Sequence, residues 1–258
     1  MPNKARTLLS MVKSAVEVLP DNESFLLDLK STVAMLNPDR EPSQAFKPSS
    51  MNCLRLCYFD MVKAPRDISI AEYSGVRIPE TGSASHESIQ KYVSKMQECG
   101  KDCVWIKPSD WIKQNKLDYL EVKDEGEFET LLYDTRYNIR FKCDGIIKYK
   151  GTYYILEIKT ETERKNAYRE NADDGHRNQS ICYSLALNIN KIMWLYESRD
   201  LCVPKTFITT VTEEEKGEMV TKFEIVNQAV KDSIPPERTE NRKACQYCHY
   251  INECKKYK

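Results

Sequence analysis

Two carboxylates and an amine fall close together in the chain, at Asp144 and in the tripeptide Glu157-Ile158-Lys159, on either side of a Lys150-Gly151 turn signal. The runs Tyr137 to Tyr149 and Thr152 to Lys159 read as strands, and a hairpin centred on Lys150-Gly151 pairs Tyr149 with Thr152. Counting outward sets Asp144 opposite Glu157 on one face, and strand alternation points Lys159 to the same face as Glu157. Carboxylates this close repel and raise one another's pKa unless a cation lies between them. A hard divalent ion such as Mg²⁺ suits oxygen ligands of this kind. The same residues also describe an exposed hairpin with a cross-strand lysine, and a bulge at Gly151 would slip the register and part the acids.

Two flanking segments bear on that choice. Gly82-Ser83-Ala84-Ser85-His86 opens a predicted helix, and Gln179 and Tyr183 lie one turn apart on the face of another. In chain order, Gly-x-x-x-His, Asp, Glu-x-Lys and Gln-x-x-x-Tyr, the set resembles the RecB-like branch of the PD-(D/E)xK nuclease superfamily, from about residue 49 to residue 258. The resemblance implies a restriction-endonuclease-like α/β core, a central mixed β-sheet flanked by helices. It implies that His86, Asp144, Glu157 and the carbonyl of Ile158 bind Mg²⁺ or Mn²⁺, and that Lys159 positions or activates the attacking water. Gln179 and Tyr183 would then steady the active site and the DNA strand, and Arg55 with the Lys255-Lys256 tail would touch DNA. One departure is Phe141, where the family often has Gly three positions before the Asp; here a Gly stands only at Gly145.

The chain has ten cysteines. Its first apolar stretch, Leu8 to Leu19, is interrupted by Lys13 and Glu17, so neither a secretory leader nor a membrane span is expected, and a cytoplasmic setting keeps thiols reduced. Metal or cluster ligation is then the leading use for some of them. Cys245-x-x-Cys248 and Cys254 supply three thiolates; Cys57 competes for the fourth position, and His249 would complete a zinc site. The resembled nucleases that carry an iron–sulfur cluster use one distant Cys before the nuclease motifs and a Cys-x-x-Cys-x5-Cys group after them. That implies a 4Fe-4S cluster on Cys53, Cys245, Cys248 and Cys254, stapling the two ends of the domain. The branch includes AddB-type subunits, the CRISPR-associated adaptation nuclease and stand-alone phage relatives. Cys99, Cys103, Cys143, Cys182 and Cys202 read as small buried hydrophobes.

The elements that must position these groups follow from periodicity. Apolar residues recur at helical spacing from Leu8 to Leu19 and from Leu26 to Leu36, so two helices form an N-terminal extension over residues 1–45. Pro38, Pro42 and Pro48 punctuate a connection, and a boundary near Phe46 opens the nuclease domain, residues 46–258. A helix is expected from Gly82 to Met96, and no clean period from Lys101 to Glu125. Strands over Phe128 to Tyr133 and in the hairpin precede a helix capped by Asp173 or Asp174 with the stripe Ile181, Leu185 and Ile189. Apolar runs Ile192 to Tyr196 and Thr206 to Val211 and a helix from Glu213 to Lys231 complete an α/β layer fold. Lys plus Arg equals Asp plus Glu at 39 each in 258 residues, so no whole-protein field draws it to nucleic acid or membrane, and a local patch must hold DNA. The expected function is a metal-dependent DNA exonuclease acting on ends or single strands in recombination, repair or phage DNA metabolism. The alternatives are a CRISPR spacer-processing nuclease with integrase partners and, of another class, a non-catalytic DNA-binding iron–sulfur module.

Overall fold

The computed structural model describes residues 20–37, 41–67, 73–240, 242–245 and 248–257. The chain divides into two compact units, Met1–Arg40 with Ile70–Ile78 and Glu41–Ser69 with Pro79–Lys258. In the smaller unit, helix α1 (Asp21–Leu36) carries Asp21 and Glu23 in its first turn, where acidic side chains complement the helix dipole. The helix read from Leu8 to Leu19 lies outside the described residues. Phe46 is a core residue of the larger unit, 1% exposed, and its N–H donates to the carbonyl of Asn138.

The larger unit is an α/β structure whose mixed sheet is flanked by helices. Its elements begin with α2 (Leu54–Met61) and the Pro79-to-Ser94 part of α3 (Tyr73–Ser94), followed by β1 (Cys103–Ile106), α4 (Pro108–Asn115) and β2 (Leu120–Glu125). Then come β3 (Thr130–Asp134), β4 (Ile139–Cys143), β5 (Gly145–Tyr149), β6 (Thr152–Glu161) and α5 (Glu163–Ala167). The chain continues through α6 (Arg177–Leu187), β7 (Lys191–Ser198), β8 (Pro204–Thr210), α7 (Glu213–Asp232), α8 (Arg242–Cys245) and α9 (Ile251–Lys255). One sheet has the order β1-β5-β6-β7-β8, and a second is the meander β2-β3-β4. Among the strands of the described residues, β6 and β7 pair in parallel, as a crossover through α6 requires, and the other pairs are antiparallel.

β6 lies in the middle of the five-stranded sheet and is covered on both faces, which is why its sequence is a near-continuous apolar run. Ile155 joins the main core with Trp194, Phe223 and Leu132, whereas Tyr154, Leu156 and Ile158 join Ile89 of α3 and Ile147 on the opposite face. The turn into β6 is tight: Lys150 and Gly151 both have positive φ, 47° and 79°, the backbone twist that suits a two-residue hairpin. On the main core's side, α7 is opened by a Thr212–Glu215 capping box and buries Met219, Phe223, Val226 and Ala229, a helical stripe that sets Phe223 4.6 Å from Phe46 between ring centroids.

Several sequence expectations need correction. Helix α3 begins at Tyr73 rather than Gly82 and runs through Pro79, and the stretch from Lys101 to Glu125 holds β1, α4 and β2. The run from Tyr137 to Tyr149 is two strands in two sheets, broken at Asp144. Ile189 lies past the end of α6, because Asn188 adopts the left-handed conformation that stops the helix. Cys103, Cys143 and Cys182 are buried as expected, but Cys99 and Cys202 are exposed, Cys99 in the turn after α3 and Cys202 in the connection between β7 and β8. Among the described residues no helix is long and apolar enough to cross a membrane.

Candidate active site

Asp144 is the single residue between β4 and β5, where the chain leaves one sheet for the other. The β5–β6 ladder pairs Tyr149 with Thr152 and ends at Gly145 with Leu156, so no bulge intervenes, and Asp144 and Glu157 are the next residues outward. Asp144 is held on three sides. Its Oδ2 accepts a 2.6 Å hydrogen bond from the N–H of Ile158, its carbonyl accepts from Gln90 Nε2 at 2.7 Å, and its Oδ1 lies 3.3 Å from His86 Nδ1. Two glycines allow this approach. A Cβ on Gly145 would stand 2.4 Å from Trp105 Cη2, and one on Gly82 would stand 3.2 Å from Thr160 Oγ1, so α3 lies close on β6 just one turn before His86. Gly145 therefore has a packing role beside the acid.

Glu157 is buried, and Lys159 Nζ donates to its Oε1 at 2.5 Å and to Gln179 Oε1 at 3.1 Å. Gln179 Nε2 in turn donates to the Tyr183 hydroxyl at 2.6 Å, and that hydroxyl donates to the carbonyl of Lys142 at 2.8 Å. A relay of four groups thus fixes the amine beside the acid. The other oxygen, Glu157 Oε2, is buried without a hydrogen-bond partner. Burial raises the Glu157 carboxyl to about 7, with Lys159 opposing and Asp144 adding to the rise. Burial pulls the Lys159 amine down, but the charges of Glu157 and Asp144 more than offset it, and its pKa is raised. His86 behaves likewise: burial lowers it, and the hydrogen bond and charge of Asp144 bring it above its ordinary value.

The structure therefore brings together His86, Asp144, Glu157, Lys159, Gln179 and Tyr183. Two of the expected DNA contacts, Tyr183 and Arg55, need qualification by position. Tyr183 is 3% exposed, so it supports the site from inside and offers no face to DNA. Arg55 is also 3% exposed and is spent on the C-terminal tail, donating to the carbonyls of Pro236 at 2.7 Å and Tyr257 at 3.4 Å and approaching Cys254 Sγ at 3.6 Å. Its place is structural, because a buried guanidinium with these partners has no free donor surface to give a phosphate. Two residues escaped the sequence reading. Gln90 lies one turn after His86 on the same helix face, a spacing that would have flagged it. Glu129, which with His86 and Asp144 places one ligand atom each within 4.8 Å of the others, carries no motif at all.

β6 continues into a second charged group. Glu161 accepts from Arg169 Nε at 2.5 Å and Nη2 at 2.6 Å, and the guanidinium lies 4.0 Å from the ring centroid of Tyr196, the ladder partner of Lys159. An open cavity of about 580 Å³ follows, lined by Arg164, Lys165, Tyr168 and Arg169 among others.

The donor set at Asp144 fits a hard divalent cation. It offers carboxylate oxygens and an imidazole nitrogen, and it leaves one buried carboxylate oxygen of Glu157 unsatisfied, which a cation would satisfy. The thiols are a looser group. Cys53, raised by burial, is raised further by the charges of Cys245 and Cys254, and Cys248 by those of Cys53, Cys245 and Cys254. These are electrostatic influences between segments from opposite ends of the chain, not contacts between the sulfurs. Among the described residues, no three sulfurs lie within 4.8 Å of one another. Cys57 is buried, its thiol directed to the Ser50 carbonyl and Met51 sulfur.

No family model matches the chain, and no curated protein does. Among solved structures it is similar to that of SSO0001, with 16% identity over 91% of this chain and 96% of the other, at a TM-score of 0.46.

Proposed function

We propose that the protein is a metal-dependent DNA exonuclease of the RecB-like PD-(D/E)xK kind, hydrolysing phosphodiester bonds at ends or in single strands. The observation that carries this reading is the convergence of Asp144, Glu157 and Lys159 around an unsatisfied buried carboxylate oxygen. His86, Asp144, Glu157 and the Ile158 carbonyl would hold Mg²⁺ or Mn²⁺, which when bound supplies charge neutralisation at the phosphate and lowers the pKa of water. Lys159, fixed by Glu157 and Gln179, orients the attacking water and adds positive charge where negative charge develops on the phosphate. Gln179 and Tyr183 keep the amine in place. Arg164 and Lys165, beside the open cavity after β6, supply phosphate contacts in place of Arg55, and such contacts carry no sequence information.

The test is digestion of end-labelled linear and covalently closed circular DNA with Mg²⁺ or Mn²⁺. Linear DNA, single-stranded or with free ends, is expected to be degraded while circles survive. Cleavage of circles at an equal rate would make the activity endonucleolytic, and no cleavage of any DNA would favour the binding-module reading. The cysteine group is proposed to hold a 4Fe-4S cluster on Cys53, Cys245, Cys248 and Cys254. Protein purified without oxygen should then contain about four iron and four acid-labile sulfide per chain and show broad visible absorption, both lost in Cys53→Ala. One zinc and no sulfide would replace the cluster with a zinc site.

A further inference from the structure

The three-stranded sheet contributes an acid that the motifs do not contain. β3 pairs with β4 antiparallel, Thr130 opposite Cys143 at the end of the ladder, and the next residues outward are Glu129 and Asp144. The β5–β6 ladder ends with Gly145 opposite Leu156, and its next residues outward are Asp144 and Glu157. Asp144 is therefore the common continuation of two ladders, with Glu129 across from it in one sheet and Glu157 in the other. Directly opposed residues share a face, so three carboxylates converge where the sheets part. The atoms agree with the register: ligand atoms of His86, Glu129 and Asp144 lie within 4.8 Å of one another. Asp144 Oδ1 faces His86, and Oδ2 is engaged by the Ile158 N–H. On the far side, Glu157 pairs with Lys159 through Oε1 only, and its Oε2 is buried without a hydrogen-bond partner. The cation partner that Glu129 does have, Lys142 at 3.3 Å from Oε2, is half exposed.

We propose that Glu129 is a ligand of the divalent cation, closing the site with His86 and Asp144 from the second sheet. This rests on the metal reading given above and extends it to a residue from outside the nuclease motifs. Its consequence is that the two sheets are tied through the ion, so cation binding sets the angle at which β4 passes into β5.

The experiment is calorimetric titration of Mn²⁺ into the full chain, with the Mn²⁺ electron paramagnetic resonance signal as a second readout of bound ion. Glu129→Gln should weaken Mn²⁺ binding by at least the roughly tenfold that even outer-shell partners contribute. Glu129→Asp, which keeps a charge for Lys142 but withdraws the oxygen by one methylene, should weaken it as well. Glu127→Gln, a neighbouring acid lining the adjacent 270 Å³ cavity, should bind as the wild type does. If Asp144→Asn loses the ion while both Glu129 variants bind normally, Glu129 is no ligand and the metal site stands without it. If Lys142→Gln weakens binding as much as Glu129→Gln, the ion pair matters rather than ligation, and the proposal fails. If the wild type binds no Mn²⁺, the metal reading itself falls and takes this proposal with it.

Discussion

Lys159→Ala should lower single-turnover cleavage on the order of a hundredfold to a thousandfold, the range seen when a preorganised charge is removed from a transition state. Its reason is positional: the amine is held by Glu157 at 2.5 Å and by Gln179 at 3.1 Å, so the charge is fixed before substrate arrives. Mn²⁺ and DNA binding should survive in Lys159→Ala, whereas Asp144→Ala should lose the ion and the activity together. A purely structural hairpin predicts a different outcome, since stranding buried Glu157 without its lysine would cost stability while leaving activity unchanged. Wild-type cleavage by Lys159→Ala would therefore remove the nuclease reading. Gln179→Ala should fall between the two, because it loosens the amine without deleting it.

Arg169→Ala should destabilise the fold by about 3–5 kcal/mol, the range for stranding one member of a buried ion pair. The side chains of Arg169 and Glu161 are 7% and 6% exposed, and the two bonds between them are 2.5 and 2.6 Å. Burial alone would raise the Glu161 carboxyl, but the hydrogen bonds and charge of Arg169 overcome it and hold the pKa below its ordinary value. Asp173 is lowered too, burial again being outweighed, chiefly by the bond from Lys165. The linkage sign follows from these depressed folded values: the stabilisation is complete above the unfolded carboxylate pKa, about 4 for Asp and Glu, and is lost as pH falls through the lower folded ones. The stability gap between wild type and Arg169→Ala in urea denaturation should thus be widest near neutrality and close as the solution is acidified below about pH 4. A gap under about 1 kcal/mol at neutral pH, the worth of a surface pair, would show the pair to be solvated rather than buried.

The residues that do the proposed chemistry were legible in the sequence because they obey local rules. Lys150-Gly151 fixes a two-residue turn, the turn fixes the register, and the register carries Asp144 to Glu157 and Lys159 without any knowledge of the rest of the chain. Gln179 and Tyr183 followed from one helical turn, and α7 from its cap and stripe. What sequence could not decide was set by contacts between segments far apart. Whether Asp144 lies inside one long strand or between two depends on the second sheet, because an apolar run from Tyr137 to Tyr149 has the same local preference either way. Arg55 looks like a phosphate contact until the C-terminal tail folds over it, and Tyr183 looks like a stacking platform until Lys142 and Gln179 close around its hydroxyl. Glu129 had no local signal, since its meaning arises only when β3 pairs with β4 and brings it across from Asp144. Periodicity and turn chemistry are properties of neighbours along the chain, whereas burial and convergence are properties of neighbours in space, and only the packed sheets supply those.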